Sequence, residues 1–271
     1  MDPLIVGLGG GWNSTAMLIE LHRKGIKPDL IIFADTKDEK PGTYQHLDEL
    51  DRWLDGVMWP TITRVVNLAP EAGYKSLEDN CLQMQTLPSR VFGGSSCAQK
   101  WKHAPMDKFL TSWEPARRCW DAGRKPIKAI GYDAGEDYRI KILEDKRLRY
   151  WHPLVEWGWD REECRDSVLR AGLGLPPKSA CFYCPSSTKS EVLWLAREHP
   201  DLFRRAVAME RNCAPENVQN VKGLGRHWSW EGLLAADPAV RAGMVENPVE
   251  GCLTCHLDGG CEVADTDKEA A

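Results

Sequence analysis

The chain has 271 residues, ten cysteines and a net charge of −5. That length holds one large α/β domain, or one domain with a small appendage, and the charge argues against a nucleic-acid binder held by an overall basic field. No run of about eighteen apolar residues occurs, so no membrane span is expected. No charged segment precedes Leu4-Ile5-Val6, so no secretory leader is expected either. The expected compartment is the cytoplasm, where thiols more often mean metal ligands or redox chemistry than disulfides.

In chain order, residues 4–8 form a short apolar run that predicts a buried strand, followed by the triplet Gly9-Gly10-Gly11. Residues 14–24 carry apolar side chains at helical spacing, with Asn13 or Ser14 as the expected cap. A second strand is expected at 29–34, a helix at 43–54 and a β-branched strand at 61–66. Such a series with short links predicts an α/β fold, a doubly wound Rossmann-like parallel sheet. Residues 68–100 are irregular and read as a lid or insertion. A helix is expected at 102–113, a fourth strand at 127–132 and a helix at 160–171. The run Lys141, Lys146, Arg147, Arg149 reads as a solvated helix face, with guidance of a nucleic-acid backbone as the rival reading. Helices at about 188–198 and 200–212 follow the pair Cys181 and Cys184. The expected organisation is a nucleotide-binding α/β domain at 1–172, a small helical, cysteine-containing region at 173–262 and a disordered tail at 263–271.

The loop between the first strand and its helix is the main chemical signal. Glycines admit positive φ and close backbone approach, and successive N–H groups at a helix start make a concave nest for oxyanions. Ser14 and Thr15 add hydroxyl donors. The spacing is neither Gly-x-x-x-x-Gly-Lys-Ser/Thr nor Gly-x-Gly-x-x-Gly.

Gly9-Gly10-Gly11-Trp12-Asn13-Ser14 resembles the pyrophosphate loop Ser-Gly-Gly-x-Asp-Ser of the N-type ATP pyrophosphatases and phosphoadenylylsulfate (PAPS) reductases, the PP-loop superfamily. Gly10, Gly11 and Ser14 match, while Gly9 replaces serine and Asn13 replaces aspartate. Neutral Asn13 repels phosphates less than a carboxylate does, yet it cannot ligate Mg²⁺ as one; magnesium stays among the implied cofactors. Asp35-Thr36 is similar to the Asp-Thr-Gly end of the second strand, with Lys37 where glycine is usual. Cys97, Lys102 and Pro105 match a Cys-Cys-x-x-Arg-Lys-x-x-Pro-Leu segment. Gly131, Ala134 and Glu136 keep the spacing of Gly-Ile-Arg-Ala-x-Glu-Ser, with Asp133 in place of arginine and Arg139 as a substitute positive charge. Pro153-Leu-Val-Glu-Trp157 is like Pro-Leu-x-x-Trp. The matches keep the superfamily's order over residues 4–210. They imply an adenine nucleotide, ATP or PAPS, bound by Gly9, Gly10, Gly11, Asn13, Ser14, Thr15, Asp35, Thr36, Gly131 and Glu136, with Lys102 and Arg139 as the catalytic cations. A homodimer is compatible with this reading.

Two thiolates spaced as Cys181 and Cys184 can share one metal. In the resemblance Cys97 joins them around a [4Fe-4S] cluster, with Cys252 and Cys255 favoured to complete it and Cys213 as another candidate. Zinc held by Cys252, Cys255, His256 and Cys261, or by a mixture of these with Cys181 and Cys184, is the rival. Cys81, Cys119 and Cys164 read as ordinary buried thiols. The first functional expectation is an ATP pyrophosphatase that adenylates an acceptor, opening the way to sulfur transfer to a nucleic acid or a small molecule. The second is a PAPS or adenylylsulfate reductase, for which the nucleophilic Glu-Cys-Gly-x-His motif is missing. The third is a non-catalytic nucleotide- or metal-binding protein.

Overall fold

The structure, a computed structural model, describes residues 1–67, 73–217 and 220–242. In chain order its elements are β1 (Leu4–Leu8), α1 (Trp12–Arg23), β2 (Leu30–Asp35), α2 (Pro41–Gly56) and β3 (Ile62–Val66). Then come α3 (Leu77–Gln83), α4 (Ser96–Ala98), a π-helical turn over Gln99–His103, α5 (Ala104–Ser112), α6 (Glu114–Asp121) and β4 (Ile127–Ile130). A 3₁₀ segment, Ala134–Arg139, leads to β5 (Arg149–Trp151), α7 (Pro153–Glu156) and α8 (Arg161–Arg170). The last are α9 (Lys189–Glu198), α10 (Pro200–Asn212), α11 (Trp230–Ala235) and α12 (Pro238–Arg241).

The chain divides into two compact units, Met1–Asn67 with Ala98–Ala180, and Leu68–Cys97 with Cys181–Ala271. The first unit is α/β. Its five strands pair in parallel in the order β3-β2-β1-β4-β5. β1 lies at the centre, so the chain winds outward to β3 on one side and later to β5 on the other. That reversal of direction puts a crevice at the carboxyl ends of β1 and β4.

The apolar run of β1 follows from burial on both faces. Leu4, Val6 and Leu8 join the core formed with α1, α2 and α8, through Met17, Leu18, Leu47, Leu50 and Val168. Ile5, one residue out of phase, joins Ile32, Ala34, Met106 and Leu110 on the other face. α8 is launched by a capping box in which Asp160 accepts the Glu163 amide and Glu163 accepts the Asp160 amide.

The second unit is helical among its described residues. Phe203 stacks on buried Trp230 at 6.4 Å. Arg205 lies 4.7 Å from the centre of the Phe182 ring and pairs with Glu78. The Glu210 carboxylate accepts the amides of Leu224 at 2.6 Å and Trp230 at 3.0 Å, which ties the segment before α11 to α10.

Four expectations are corrected. The helix expected over 102–113 opens as the π-helical turn Gln99–His103, and regular α-helix spans only Ala104–Ser112. Pro105 sits in its first turn, where a missing N–H costs no intrahelical bond. The basic run 141–149 is not a helix face. Asp145 accepts the amides of Arg147 at 2.7 Å and Leu148 at 2.8 Å, folding the run into a turn that delivers Arg149 to β5. The segment 68–100, read as irregular, contains α3 and a 3₁₀ turn over Ser89–Phe92; α3 is capped by Ser76, which accepts the Asp79 amide at 3.0 Å. The three-residue strand β5 was not expected, being too short to show a periodicity.

Gly131 immediately follows β4, and a Cβ there would lie 2.8 Å from Ser14 Cα and 2.9 Å from Ser14 N. The backbone of α1 can approach β4 so closely only at a glycine. Gly131→Ala is expected to lower stability by about 1–3 kcal/mol, read as a lower Tm by circular dichroism.

Candidate functional site

α1 begins at Trp12 with Gly11 as its N-cap residue, and no side chain caps it. This corrects the expected capping by Asn13 or Ser14. The Ser14 hydroxyl instead turns back onto the loop, accepting the Gly9 amide at 3.2 Å and donating to the Gly11 carbonyl at 3.0 Å. The same carbonyl accepts the Thr15 hydroxyl at 3.1 Å and the Thr15 amide at 3.2 Å. The Ser179 hydroxyl donates to the Gly9 carbonyl. In a trans peptide the C=O and the following N–H point in opposite directions. Holding the carbonyls of Gly9 and Gly11 therefore turns the amides of Gly10 and Trp12 the other way. Among the described residues, the amides of Gly10, Gly11, Trp12 and Asn13 have no acceptor. A row of such N–H groups at a helix start is an anion-binding arrangement.

Gly10 has φ 76°, and a Cβ there would lie 3.2 Å from both Ser179 Oγ and Thr43 Cγ2. Conformation and crowding both require glycine. The Trp12 indole donates to the Pro176 carbonyl at 2.5 Å, and Arg161 covers its ring at 4.8 Å. Pro176 and Ser179 thus brace the loop.

Two departures from the superfamily pattern meet in space. Asn13 Nδ2 donates to Asp133 Oδ2 at 2.8 Å and to Glu136 Oε2 at 3.2 Å. Asp133 is buried. Where the family has an acid in the loop and a base in the later segment, this chain has an amide and an acid, and the two are bonded. Glu136 also accepts Arg139 at 2.5 Å, and the Arg139 guanidinium stacks 4.4 Å above the Tyr132 ring. Arg139 is therefore held beside the loop by a carboxylate and an aromatic face.

At the carboxyl end of β2, Asp35 is consumed by local structure. It accepts the Lys37 amide at 2.7 Å and the Tyr44 hydroxyl at 2.8 Å. Burial, then the bond to Asp35, pushes the Tyr44 phenol well above its ordinary range. Lys37 has φ 68°, which accounts for the glycine that the superfamily has at this position. Thr36 is buried beside it, and its hydroxyl accepts the Asp38 amide at 3.4 Å. Lys102 donates to the buried Glu39 at 2.8 Å.

The glycine loop, the winding order and the later segments at the strand ends now stand together. The chain resembles the PP-loop ATP pyrophosphatases. No family model and no curated protein matches the sequence. Among solved structures it is similar to the U34-tRNA thiolase NcsA from Methanococcus maripaludis with its [4Fe-4S] cluster, at 16% identity and a TM-score of 0.39, over 78% of this chain and 72% of that one. A likeness at that level carries no weight for the chemistry, which rests on the residues of the site.

Cys181 is buried, Cys97 and Cys184 are half-buried, and the Cys184 amide donates to the Cys181 carbonyl at 2.9 Å. Among the described residues no three His, Cys, Asp or Glu side chains form a metal-holding group. The described thiols by themselves do not fit a cluster, and Cys252, Cys255, His256 and Cys261 lie outside the described residues. Cys81, Cys119, Cys164 and Cys213 are buried. Burial, reinforced by Asp133 and Asp160, pushes the Cys164 thiol up to about 12, so it is an inert thiol.

Sequence reading missed Ser179, Thr43 and His46. His46, on α2, bonds Thr15 through its ring at 2.9 Å. Ser179 is 170 positions from the carbonyl it holds, and no spacing rule reaches across that distance.

Two outcomes follow. Asn13→Asp sets a third carboxylate against Asp133 and Glu136 and removes their donor, which should cost about 1–3 kcal/mol; pairing it with Asp133→Arg should recover most of the loss, measured by urea unfolding. Burial also depresses the basicity of His46, His103 and His152, in His103 with help from Lys128 and Lys102. These rings take protons less readily in the fold than in the unfolded chain, where they do so near pH ~6.5. Their stability contribution is complete above that pH and is lost as pH falls below it. Urea midpoints should drop on acidification, and the drop should shrink in His152→Phe.

Proposed function

We propose that the chain is an adenine nucleotide-binding enzyme whose PP-loop grips the phosphate chain of ATP, and that it acts as an ATP pyrophosphatase. The observation that supports this reading is the set of acceptor-free amides from Gly10 to Asn13, of which those of Gly10 and Trp12 are turned away from the held carbonyls of Gly9 and Gly11. In the proposed reaction an acceptor oxygen or nitrogen attacks the α-phosphorus. The bond from that phosphorus to the bridging oxygen breaks, pyrophosphate leaves with the electron pair, and the acceptor's proton passes to solvent. The adenylated acceptor is then open to a nucleophile, sulfur among the candidates, with AMP as the leaving group. A nucleic acid or a small molecule is the proposed acceptor class.

The residue roles are electrostatic. The loop amides hold the pyrophosphate portion, and Lys102 and Arg139 meet charge that builds on the phosphates. Glu39 and Glu136 hold those two cations before the ligand arrives. Gly131 keeps α1 close to β4, and Thr36 and Asp35 shape the end of β2. The cysteines carry no step of this chemistry. Their proposed role, Cys97, Cys181 and Cys184 with Cys252 and Cys255 around one metal, is tested by metal analysis after anaerobic purification: about four irons per chain supports a cluster, and one zinc replaces it.

The function is tested by calorimetric titration with ATP, AMP and PAPS, followed by pyrophosphate release from labelled ATP. ATP should bind more tightly than AMP, because the loop takes the β- and γ-phosphates. Lys102→Met should lower pyrophosphate release by about 10²–10³-fold while leaving the fold intact. Failure of ATP and PAPS alike to bind would sink the reading, and sulfite release from PAPS with a thiol reductant would replace it with reduction.

A further inference from the structure

The PP-loop is braced by a buried imidazole that no spacing in the sequence exposes. His46 on α2 is 3% exposed, and its Nε2 lies 2.9 Å from Thr15 Oγ1. Thr15 Oγ1 lies 3.1 Å from the Gly11 carbonyl oxygen. A hydroxyl has one proton to give. If Thr15 donates to Gly11, His46 must be the donor to Thr15, and its proton sits on Nε2. His46 Nδ1 is buried with no partner among the described residues. A proton there would be stranded without an acceptor, whereas a bare lone pair costs less to bury. Geometry therefore selects one tautomer, and that tautomer sends the Thr15 proton to the loop.

The opposite tautomer has a specific consequence. With Nε2 bare, the Thr15 hydroxyl would turn toward the ring and release the Gly11 carbonyl. That carbonyl belongs to the same peptide as the Trp12 amide, so the outward aim of the Trp12 N–H would loosen with it. Ser14 alone among the side chains would then hold this peptide. Thr43, one turn before His46 on the same face of α2, lies against Gly10 through Cγ2, so α2 supports the loop at two adjacent peptides.

We infer that His46 is a positioning residue for phosphate binding: as the neutral Nε2–H tautomer it orients the Thr15 hydroxyl onto Gly11 and thereby aims the Trp12 amide at the nucleotide. The inference rests on the nucleotide reading for its ligand, and on the His46–Thr15–Gly11 contacts alone for its geometry.

The test uses the full chain labelled with ¹⁵N. At pH about 7.5, long-range proton–nitrogen spectra should show His46 neutral with its proton on Nε2. His46→Leu removes the donor and should weaken ATP binding about tenfold, with movement of the Gly10, Gly11 and Trp12 amide signals. His46→Gln keeps an amide donor at similar reach and should bind ATP within about threefold of the parent. Thr15→Val should match His46→Leu, and the double variant should be no weaker than either single one, as members of one chain of bonds are non-additive. A folded His46→Leu with parental affinity and unmoved loop signals overturns the inference, and so does an Nδ1–H tautomer. If His46→Leu does not fold, the tautomer and His46→Gln decide it. Should the parent bind no ATP at all, the nucleotide reading falls, and the loop amide signals still judge the role of His46.

Discussion

The site depends on the direction in which four peptide units between β1 and α1 face. A glycine-rich turn can present either its carbonyls or its amides to the crevice, and only the second attracts an anion. Here the choice is made by acceptor capture. Side-chain hydroxyls from Ser14, Thr15 and Ser179 occupy the carbonyls of Gly9 and Gly11, which turns the Gly10 and Trp12 amides the other way, and among the described residues these amides have no acceptor. Gly10 lets the chain reverse at φ 76°. Gly131 lets β4 come close enough to α1 to wall one side.

The departures from the superfamily pattern make physical sense as sets. Asn13 and Asp133 replace an acid and a base, and each would be out of place without the other: a buried carboxylate needs a donor, and the Asn13 amide donates to Asp133 as well as to Glu136. Lys37 stands at a left-handed position that favours glycine and spends its charge on Asp35 at 3.2 Å. The two cations proposed to meet the phosphates, Lys102 and Arg139, are each paired with a buried or half-buried carboxylate, Glu39 or Glu136. Such pre-orientation limits what those side chains must lose in freedom when a ligand binds.

Much of the first unit was legible in the sequence. β1 and β2 read as strands because both faces of each are covered, which demands unbroken apolar runs. α8, α9 and α10 were legible as helical stretches, a signal that is local by nature. The misreadings share a cause. Residues 141–149 looked helical by charge, but the Asp145 side chain bonds the backbone two and three positions on and folds a turn instead. β5 exists because β4 offers it an edge at Ile127, Lys128 and Ala129, and three residues leave no pattern of their own.

The sequence by itself determined β1, α1, β2, α2, β3 and β4 in their order, the glycine triplet and the hydroxyls beside it, because these follow from periodicity and from backbone freedom at single positions. It did not determine which way the loop peptides face. That was decided by Ser179 and His46, which reach the loop from distant parts of the chain, and by the meeting of Asn13 with Asp133. Hydrogen bonds of this kind require two groups at about 3 Å, and only the packing of α1, α2 and β4 around β1 brings them to that distance.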